Sequence, residues 1–303
     1  VAIYPDDGSD QNTLLNHADA AMYEAKHAGK NAVYFFNKKL EQFLKKKLRV
    51  RANLRSALAN SEFYLLYQPK FNQFTNEVVG AEALIRWNNN SEGLIPPHEF
   101  IPEAEANGTI IEIGNWVLEQ ACEQARIWST QVTPPIKVSV NVSAVQIAQA
   151  NWVDNTISII KASGVDPKLI ELEITESVLI ESRKQSQTTF EQLQAMGVTI
   201  ALDDFGVGYS SLSYLTQFSI DTLKIDRSFI HSLTESNANS KVLKNIYSLA
   251  KDLDMQVVSE GVEDSKQLNI LAGLNGSIIQ GYYYSPPVES DRIFNLLHNK
   301  KNS

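Results

Sequence analysis

The chain is poor in cysteine, in positive charge and in long apolar runs. One cysteine, Cys122, stands among 303 residues, so no internal disulfide can form. It falls within an amphipathic helical pattern, where a thiol packs as a small apolar group. Lys and Arg number 27 against 35 Asp and Glu, a formal net charge of −8. That balance argues against a nucleic-acid polymer as partner, but it permits a small phosphorylated ligand held through a metal and local positive groups. No window approaches about 18 uninterrupted apolar residues and no basic, apolar leader opens the chain, so neither a membrane span nor a secretion signal is expected in it. A cytoplasmic location is the expectation for this chain. Val1 reads as mid-strand, so a longer parent, which could carry an anchor, is expected.

What is present is ordinary globular composition, 43% hydrophobic and 20% charged. Residues 1–5 and 31–36 read as short strands flanking a helix over 12–27 that Gly29 would end. A piece of that size cannot close a core alone and reads as the tail of another domain, 1–36. Residues 37–60 are rich in Lys, Leu and Arg at helical spacing. They predict a linker helix, with Lys45–Arg49 either a solvated face or a phosphate or membrane patch. From residue 61 to 303 short apolar runs alternate with helical patterns. The runs fall at 63–68, 78–86, 136–142, 169–174, 198–203, 221–226, 255–260 and 277–283. Eight runs in a βα rhythm predict an α/β barrel of the TIM (β/α)8 kind. The helical patterns lie at 110–129, 144–162, 185–196, 238–253 and 264–274, and 88–109 reads as an elaborated loop. No glycine-rich turn follows the first strand, which weakens a dinucleotide-binding open sheet.

The chemistry gathers at the strand ends. Glu82 and Arg86 belong to the second run, Asn141 to the third, and Glu173 and Glu176 to the fourth. Asp203 and Asp204 close the fifth, Lys224 and Asp226 the sixth, Glu260 and Glu263 the seventh, and Gln280 the eighth. Adjacent aspartates at a strand mouth repel unless a cation lies beside them, although Asp204 could simply start a turn. The set is rich in oxygen and none of the five histidines falls at a strand mouth, so hard cations, Mg²⁺ or Mn²⁺, fit better than zinc. Glu82, Asn141, Glu173 and Asp203 could surround one ion. Asp203, Asp204 and Glu260 could reach a second, with Asp203 as bridge and a hydroxide poised for in-line attack on phosphorus. Lys224 would orient or help activate the water, or else neutralise Asp226. Gln280, which does not titrate, is given orientation or ligand contact. Arg86 suits bidentate phosphate recognition or a salt bridge to a site carboxylate. Gln68 could read a base edge or bond a loop backbone. Tyr282 and Pro286 could form a platform for a planar base, or pack as core.

These residues sit in motifs. Glu82-Ala83-Leu84-Ile85-Arg86-Trp87 is similar to the signature of the EAL domain family of cyclic di-GMP phosphodiesterases. The resemblance continues through Tyr67-Gln68-Pro69, Asn141-Val142-Ser143, Glu173-Ile174-Thr175-Glu176-Ser177 and Asp203-Asp204-Phe205-Gly206-Val207-Gly208. It extends over Lys224-Ile225-Asp226-Arg227-Ser228-Phe229, Glu260-Gly261-Val262-Glu263 and Gln280-Gly281-Tyr282 with Pro286. It implies a modified TIM barrel of a bacterial signalling enzyme that hydrolyses cyclic di-GMP to linear pGpG with two Mg²⁺ or Mn²⁺ ions, Ca²⁺ binding but inhibiting. It implies metal ligation by Glu82, Asn141, Glu173, Asp203, Asp204 and Glu260, with Lys224 beside the nucleophilic water and Gln280 near the site. Gln68, Leu84 and Arg86 would face the nucleotide, with Asn141, Ser143, Glu263, Tyr282 and Pro286 as further candidate contacts. Glu176 would hold the loop at 205–212, which is also implicated in a homodimer. Val207 replaces a common threonine without removing a group the chemistry needs. Asp19-Ala20-Ala21-Met22-Tyr23-Glu24-Ala25-Lys26 and Gly29-Lys30-Asn31 resemble the C-terminal end of a GGDEF, diguanylate cyclase-like domain whose catalytic signature the chain lacks.

Overall fold

The computed structural model describes residues 1–27, 32–181, 183–206, 215, 217–234 and 237–298. Nine strands are present: β1 (Phe63–Asn72), β2 (Glu77–Asn89), β3 (Gly93–Ile95), β4 (Lys137–Asn141), β5 (Ile170–Thr175), β6 (Thr199–Phe205), β7 (Thr222–Ile225), β8 (Gln256–Glu260) and β9 (Ile278–Gln280). Eight of them close a ring in the order β1-β9-β8-β7-β6-β5-β4-β2, sealed by the β1–β2 pairing. β2 and β4 through β9 run parallel to one another. β1 is antiparallel to both neighbours, β2 and β9, so the first connection is a hairpin rather than a helical crossover. The apolar alternation that predicts these strands carries no direction, which is why the reversal is invisible in it.

The helices are α1 (Gln11–His27), α2 (Lys38–Ala57), α3 (Pro97–Asn107), α4 (Ile110–Gln131), α5 (Ala144–Ile147), α6 (Trp152–Ser163), α7 (Glu176–Glu181), α8 (Arg183–Ala195), α9 (Arg227–His231), α10 (Asn237–Asp252), α11 (Ser265–Gly273) and α12 (Ser290–His298). α4 shows how the barrel helices arise. Ile110, Ile113, Val117, Leu118, Ala121, Cys122, Ala125 and Trp128 recur every three or four residues and are buried. Cys122 is a free thiol on that face, pushed up to about 12 by burial, and is therefore inert packing. The single helix expected over 144–162 is two: α5, started by a capping box of Ser143 and Gln146, and α6, with a turn over residues 148–151 between them.

The chain divides into two compact units, Val1–Glu62 with Asn88–Thr109, and Phe63–Trp87 with Ile110–Ser303. In the first, the expected strands at 1–5 and 31–36 are not formed among the described residues. Two backbone hydrogen bonds join the segments, Val1 N to Tyr34 O at 2.7 Å and Phe36 N to Val1 O at 2.8 Å. A turn at Tyr4–Asp7 then carries the chain away before a ladder can grow. α2 forms as expected with Asn37 as its cap. Lys45, Lys46 and Lys47 pair with Glu41, Glu99 and Glu103 and Arg49 lies 3.8 Å from Glu92, so the basic run is largely neutralised within this unit. Gly29, the expected helix stop, and residues 207–212 of the expected dimer loop lie outside the described residues.

In the second unit, β5 shows the layering in miniature. Ile170, Leu172 and Ile174 alternate with Glu171 and Glu173, and all five are buried. The two glutamates meet Lys70 and Lys224 from other strands, so the polar side faces the barrel interior and the apolar side the helices. Where a (β/α)8 barrel ordinarily packs branched apolar layers, this interior holds charge.

Candidate active site

Lys224, 1% exposed, is the hub of the barrel mouth. Its Nζ lies 2.7 Å from Glu260 Oε1, 3.1 Å from Asp203 Oδ1 and 3.4 Å from Glu82 Oε2, and it also donates to Glu173 Oε2. Asn141 Nδ2 donates to Glu82 Oε1 at 2.6 Å, and Gln280 Nε2 donates to Glu82 Oε2 at 2.6 Å and to Gln68 Oε1 at 3.2 Å. Six strands thus contribute to one hydrogen-bonded network: β2, β4, β5, β6, β7 and β8, with β1 and β9 joined through Gln68 and Gln280. Asp226, the alternative partner of Lys224, instead caps α9 by accepting from Ser228 N.

Asp203, Asp204 and Glu260 each offer a carboxylate oxygen within 4.8 Å of the other two. Asp204 adopts φ +53°, a left-handed conformation that aspartate tolerates better than most residues, and its N–H bonds Asp203 Oδ1 at 2.9 Å. The turn so formed keeps both carboxylates together. Glu176 accepts the Gly206 N–H at 2.9 Å, fixing the exit from β6.

Electrostatics decide what such a site can hold. Burial works against the Lys224 ammonium, but Asp203, Glu173, Glu260 and Glu82 outweigh it and hold its pKa well above the usual lysine range. Burial would push Glu82 up, yet Lys224 keeps it below the ordinary carboxylate value. Glu173 is raised by burial and by Glu82, and Glu260 is pushed up to about 8 by burial, only partly offset by Lys224. Asp204 is raised by burial and by Asp203. Glu82, Glu173, Asp203 and Glu260 contact the Lys224 ammonium and Asp204 adds a fifth carboxylate beside Asp203 and Glu260; fully ionised, these five and Lys224 leave four negative charges, the amount two divalent cations would neutralise. The donors are all oxygen, and Gln280 Oε1 is a buried acceptor with no partner among the described residues. This donor set fits hard divalent cations.

The network opens into a cavity of about 390 Å³. Glu82, Asp203, Lys224, Glu260 and Gln280 form part of its wall, and Gln68, Leu84, Arg86, Glu263 and Tyr282 the rest of the expected set. Arg86 donates to the Ile85 carbonyl and makes no salt bridge to a site carboxylate among the described residues. Gln68 donates to the Ser285 carbonyl at 3.4 Å, so it does reach a loop backbone. Tyr282 is 67% exposed rather than core. Pro287, not Pro286, lines the cavity. Asn141, Glu173 and Asp204 are not in its wall: Asn141 is exposed and reaches Glu82, Glu173 is buried and held by Lys224, and Asp204 is exposed next to Asp203. Ser143 is engaged in capping α5. Glu82 is not at a strand end, since β2 runs on to Asn89. A larger groove of about 700 Å³, in the first unit, mixes acids and bases without such convergence.

Sequence reasoning misses Arg227, which lines the cavity, and a second layer beneath the first. Lys70 Nζ bonds Ser139 Oγ at 2.6 Å, Glu171 Oε1 at 3.0 Å and Glu173 Oε1 at 2.8 Å. Ser139 Oγ and Thr222 Oγ1 donate to Glu171 at 2.7 and 2.8 Å. The strand period was the available signal: Lys70 is two residues from Gln68, Ser139 from Asn141, Glu171 from Glu173 and Thr222 from Lys224.

Residues 51–287 match the EAL domain. A bifunctional diguanylate cyclase/cyclic di-GMP phosphodiesterase, MucR of Pseudomonas aeruginosa, is 38% identical over 97% of this chain and 43% of its own length. The cyclic di-GMP phosphodiesterase PdeR of Escherichia coli is 34% identical over 95% of this chain and 43% of its own. The chain thus spans less than half the length of these relatives. Among solved structures, the PaMucR phosphodiesterase in complex with c-di-GMP superposes with a TM-score of 0.77 at 38% identity, over 81% of this chain and 99% of that one. The EAL enzyme Bd1971, bound to cAMP and cyclic di-GMP, gives 0.80 at 30% identity over 95% and 76%. With the barrel closed through its reversed first strand and the family's motifs gathered at its mouth, the chain belongs to the EAL domain family.

Proposed function

We propose that the chain is a phosphodiesterase that hydrolyses cyclic di-GMP to linear pGpG. The observation that carries this reading is the convergence of four carboxylates on Lys224, with Asp204 beside Asp203 and Glu260, where Glu82, Asp203 and Glu260 line a cavity that also holds Arg86 and Tyr282. The phosphodiesterase names of MucR and PdeR, and the c-di-GMP in the PaMucR complex, support the same substrate. Glu82, Asn141, Glu173 and Asp203 would hold one Mg²⁺ or Mn²⁺, and Asp203, Asp204 and Glu260 a second. When bound, such ions make water nucleophilic at neutral pH and neutralise charge on the phosphoryl group.

The residues of the chain do the rest. A water oxygen forms a bond to phosphorus and the bond to the ribose 3′ oxygen breaks, which leaves the 5′ phosphate of pGpG. Lys224, held as a cation, attracts oxygens carrying negative charge; it orients and does not act as a base. Gln280, with its amide nitrogen fixed on Glu82 and Gln68, presents Oε1 as an acceptor for the incoming water. Arg86 suits a phosphate and Tyr282 a guanine face, with Gln68, Leu84 and Glu263 shaping the surrounding wall. Ca²⁺ would occupy the site and support little turnover, because its larger, looser coordination misplaces the water.

The test is purified protein with Mg²⁺ or Mn²⁺ and cyclic di-GMP, product followed by chromatography. Conversion to pGpG is expected, and Glu82→Ala should lose at least a factor of about 10³, since three donors then converge on nothing. Tight nucleotide binding without turnover would instead identify a receptor. Two further proposals concern organisation. The first 36 residues end a GGDEF-like domain, supported by the MucR match that runs over 97% of the chain. A homodimer would form through the barrel and the loop at 205–212, which light scattering would detect.

A further inference from the structure

The two buried lysines grip the same carboxylate. Glu173 lies behind the cavity wall with its Oε1 held by Lys70 at 2.8 Å and its Oε2 held by Lys224. Lys224 belongs to the mouth. Lys70 does not: it enters from β1, paired with Gly80 in the register two pairs along from Gln68–Glu82 and so on the same face. A β-carbon at Gly80 would meet Lys70 Cδ at an ordinary contact distance of 3.7 Å and press on the Lys137 carbonyl at 3.3 Å. Lys70 is 5% exposed and Glu171 3%, and burying ions at such depth is unfavourable unless every charge and hydrogen bond is matched. They are matched here, Glu171 receiving Lys70, Ser139 and Thr222. Glu171 alone would balance the charge of Lys70. The third bond, up to Glu173, is what links this layer to the one above.

We propose that Lys70 is a positioning residue for the metal centre: from the floor of the barrel it fixes the rotation of Glu173 so that the carboxylate meets the cation in one orientation. This rests on the two-cation reading of the site given above. A carboxylate held on one oxygen by one flexible ammonium can swivel about its side-chain torsions. Held on both oxygens from two strands, it is locked, as outer ligands commonly lock the residues that bind metals. Lys70 and Glu171 carry opposite charge, so removing both together leaves the net charge around the site unchanged and isolates orientation from electrostatics.

The experiment is therefore the double variant Lys70→Met with Glu171→Gln, compared with Glu171→Gln alone. Mn²⁺ binding is read by calorimetry without nucleotide, and folding by circular dichroism. The double variant, which keeps the parent's net charge, should stay folded and bind Mn²⁺ at least about tenfold more weakly than the parent, while Glu171→Gln, which keeps Lys70 on Glu173 but leaves its charge unbalanced, measures the electrostatic contribution by itself. In the nucleotide assay kcat should fall about 10- to 100-fold with KM for cyclic di-GMP within about threefold. A folded double variant with the parent's Mn²⁺ affinity and kcat overturns the proposal and leaves Lys70 as the counter-ion of Glu171. If that variant does not fold, Lys70→Gln with Glu171→Gln, which refills the space with an amide, is read by the same two criteria. The calorimetric result stands apart from turnover: a parent protein that binds Mn²⁺ but cleaves nothing removes the phosphodiesterase reading, while the affinity ratio still decides the role of Lys70.

Discussion

The carboxyl of Glu260 titrates far from its ordinary range. Burial leads, Asp203 and Glu82 add to it, and Lys224 offsets only part, so without cations it titrates at about 8. On the proposed assignment of Glu260 to a divalent ion, the ion needs the carboxylate, and below about 8 its binding would release a proton. Because the protonated form predominates at lower pH, Mn²⁺ affinity should rise with pH, by at most about tenfold per unit from this group, and flatten above about 8. Calorimetry in buffers of differing ionisation enthalpy would read the proton directly; an affinity constant between pH 6 and 8.5 would contradict this origin. At this scale the sequence was informative where identity and position coincide. Asp203 and Asp204 announce themselves because two adjacent acids at the end of an apolar run have few bland explanations. Asp226 and Ser143 look equally suggestive, yet both cap helices, because a short polar side chain beside a helix start is used by its own backbone.

Between residue and barrel lies the exit of β6. Gly206 adopts φ +97°, and a β-carbon there would run into the ring of Phe229 on α9. Its N–H is the one that Glu176 accepts. Gly206→Ala should therefore cost about 1–3 kcal/mol in denaturant unfolding and lower turnover by about tenfold or more, since Asp203 and Asp204 lie only three and two residues before it. Unchanged stability and rate would mean that the loop absorbs the side chain. Most elements were legible from periodicity: the eight runs and the helices α4, α8, α10 and α11 are close to where the pattern put them. β1 and β2 ran further than expected because a hairpin pairs residue by residue beyond the apolar stretch, with Gln68 to Asn72 facing Glu82 to Glu77. That extension is why Lys70 escaped notice: its run was thought to end at residue 68.

At the scale of the whole molecule, cations should act on one unit only. The four unbalanced charges lie in the barrel, whereas the unit formed by Val1–Glu62 and Asn88–Thr109 contributes none of the network. Ligand binding to the folded form alone stabilises by about 2.7 kcal/mol at a hundred times Kd. Saturating Mg²⁺ or Mn²⁺ should raise the barrel's Tm by roughly 5–10 °C and leave a separate transition of the other unit, if one is resolved, where it was. Glu82→Ala should lose most of the shift. A uniform rise of every transition, retained in that variant, would point to general ionic effects. Fold class was readable because eight apolar runs alternate with helical patterns in one rhythm. The partition of the chain was less so, since residues 88–109 join the first unit only through space, which periodicity does not record.

The antiparallel pairing of β1 gives the barrel both a local beginning and a distant end. β1 can zip onto β2 across a short turn, but its other edge waits for Phe71 to meet Ile279, a contact between opposite ends of the barrel sequence. Loop-closure entropy makes such pairings slow, so the seam is expected to form late in folding. The Gln280–Glu82 and Gln280–Gln68 hydrogen bonds lie across that seam. An incompletely closed chain would hold its acids apart and compete poorly for cations, so the proposed cation affinity would become a report on topological completion, switched on by the last strand to arrive.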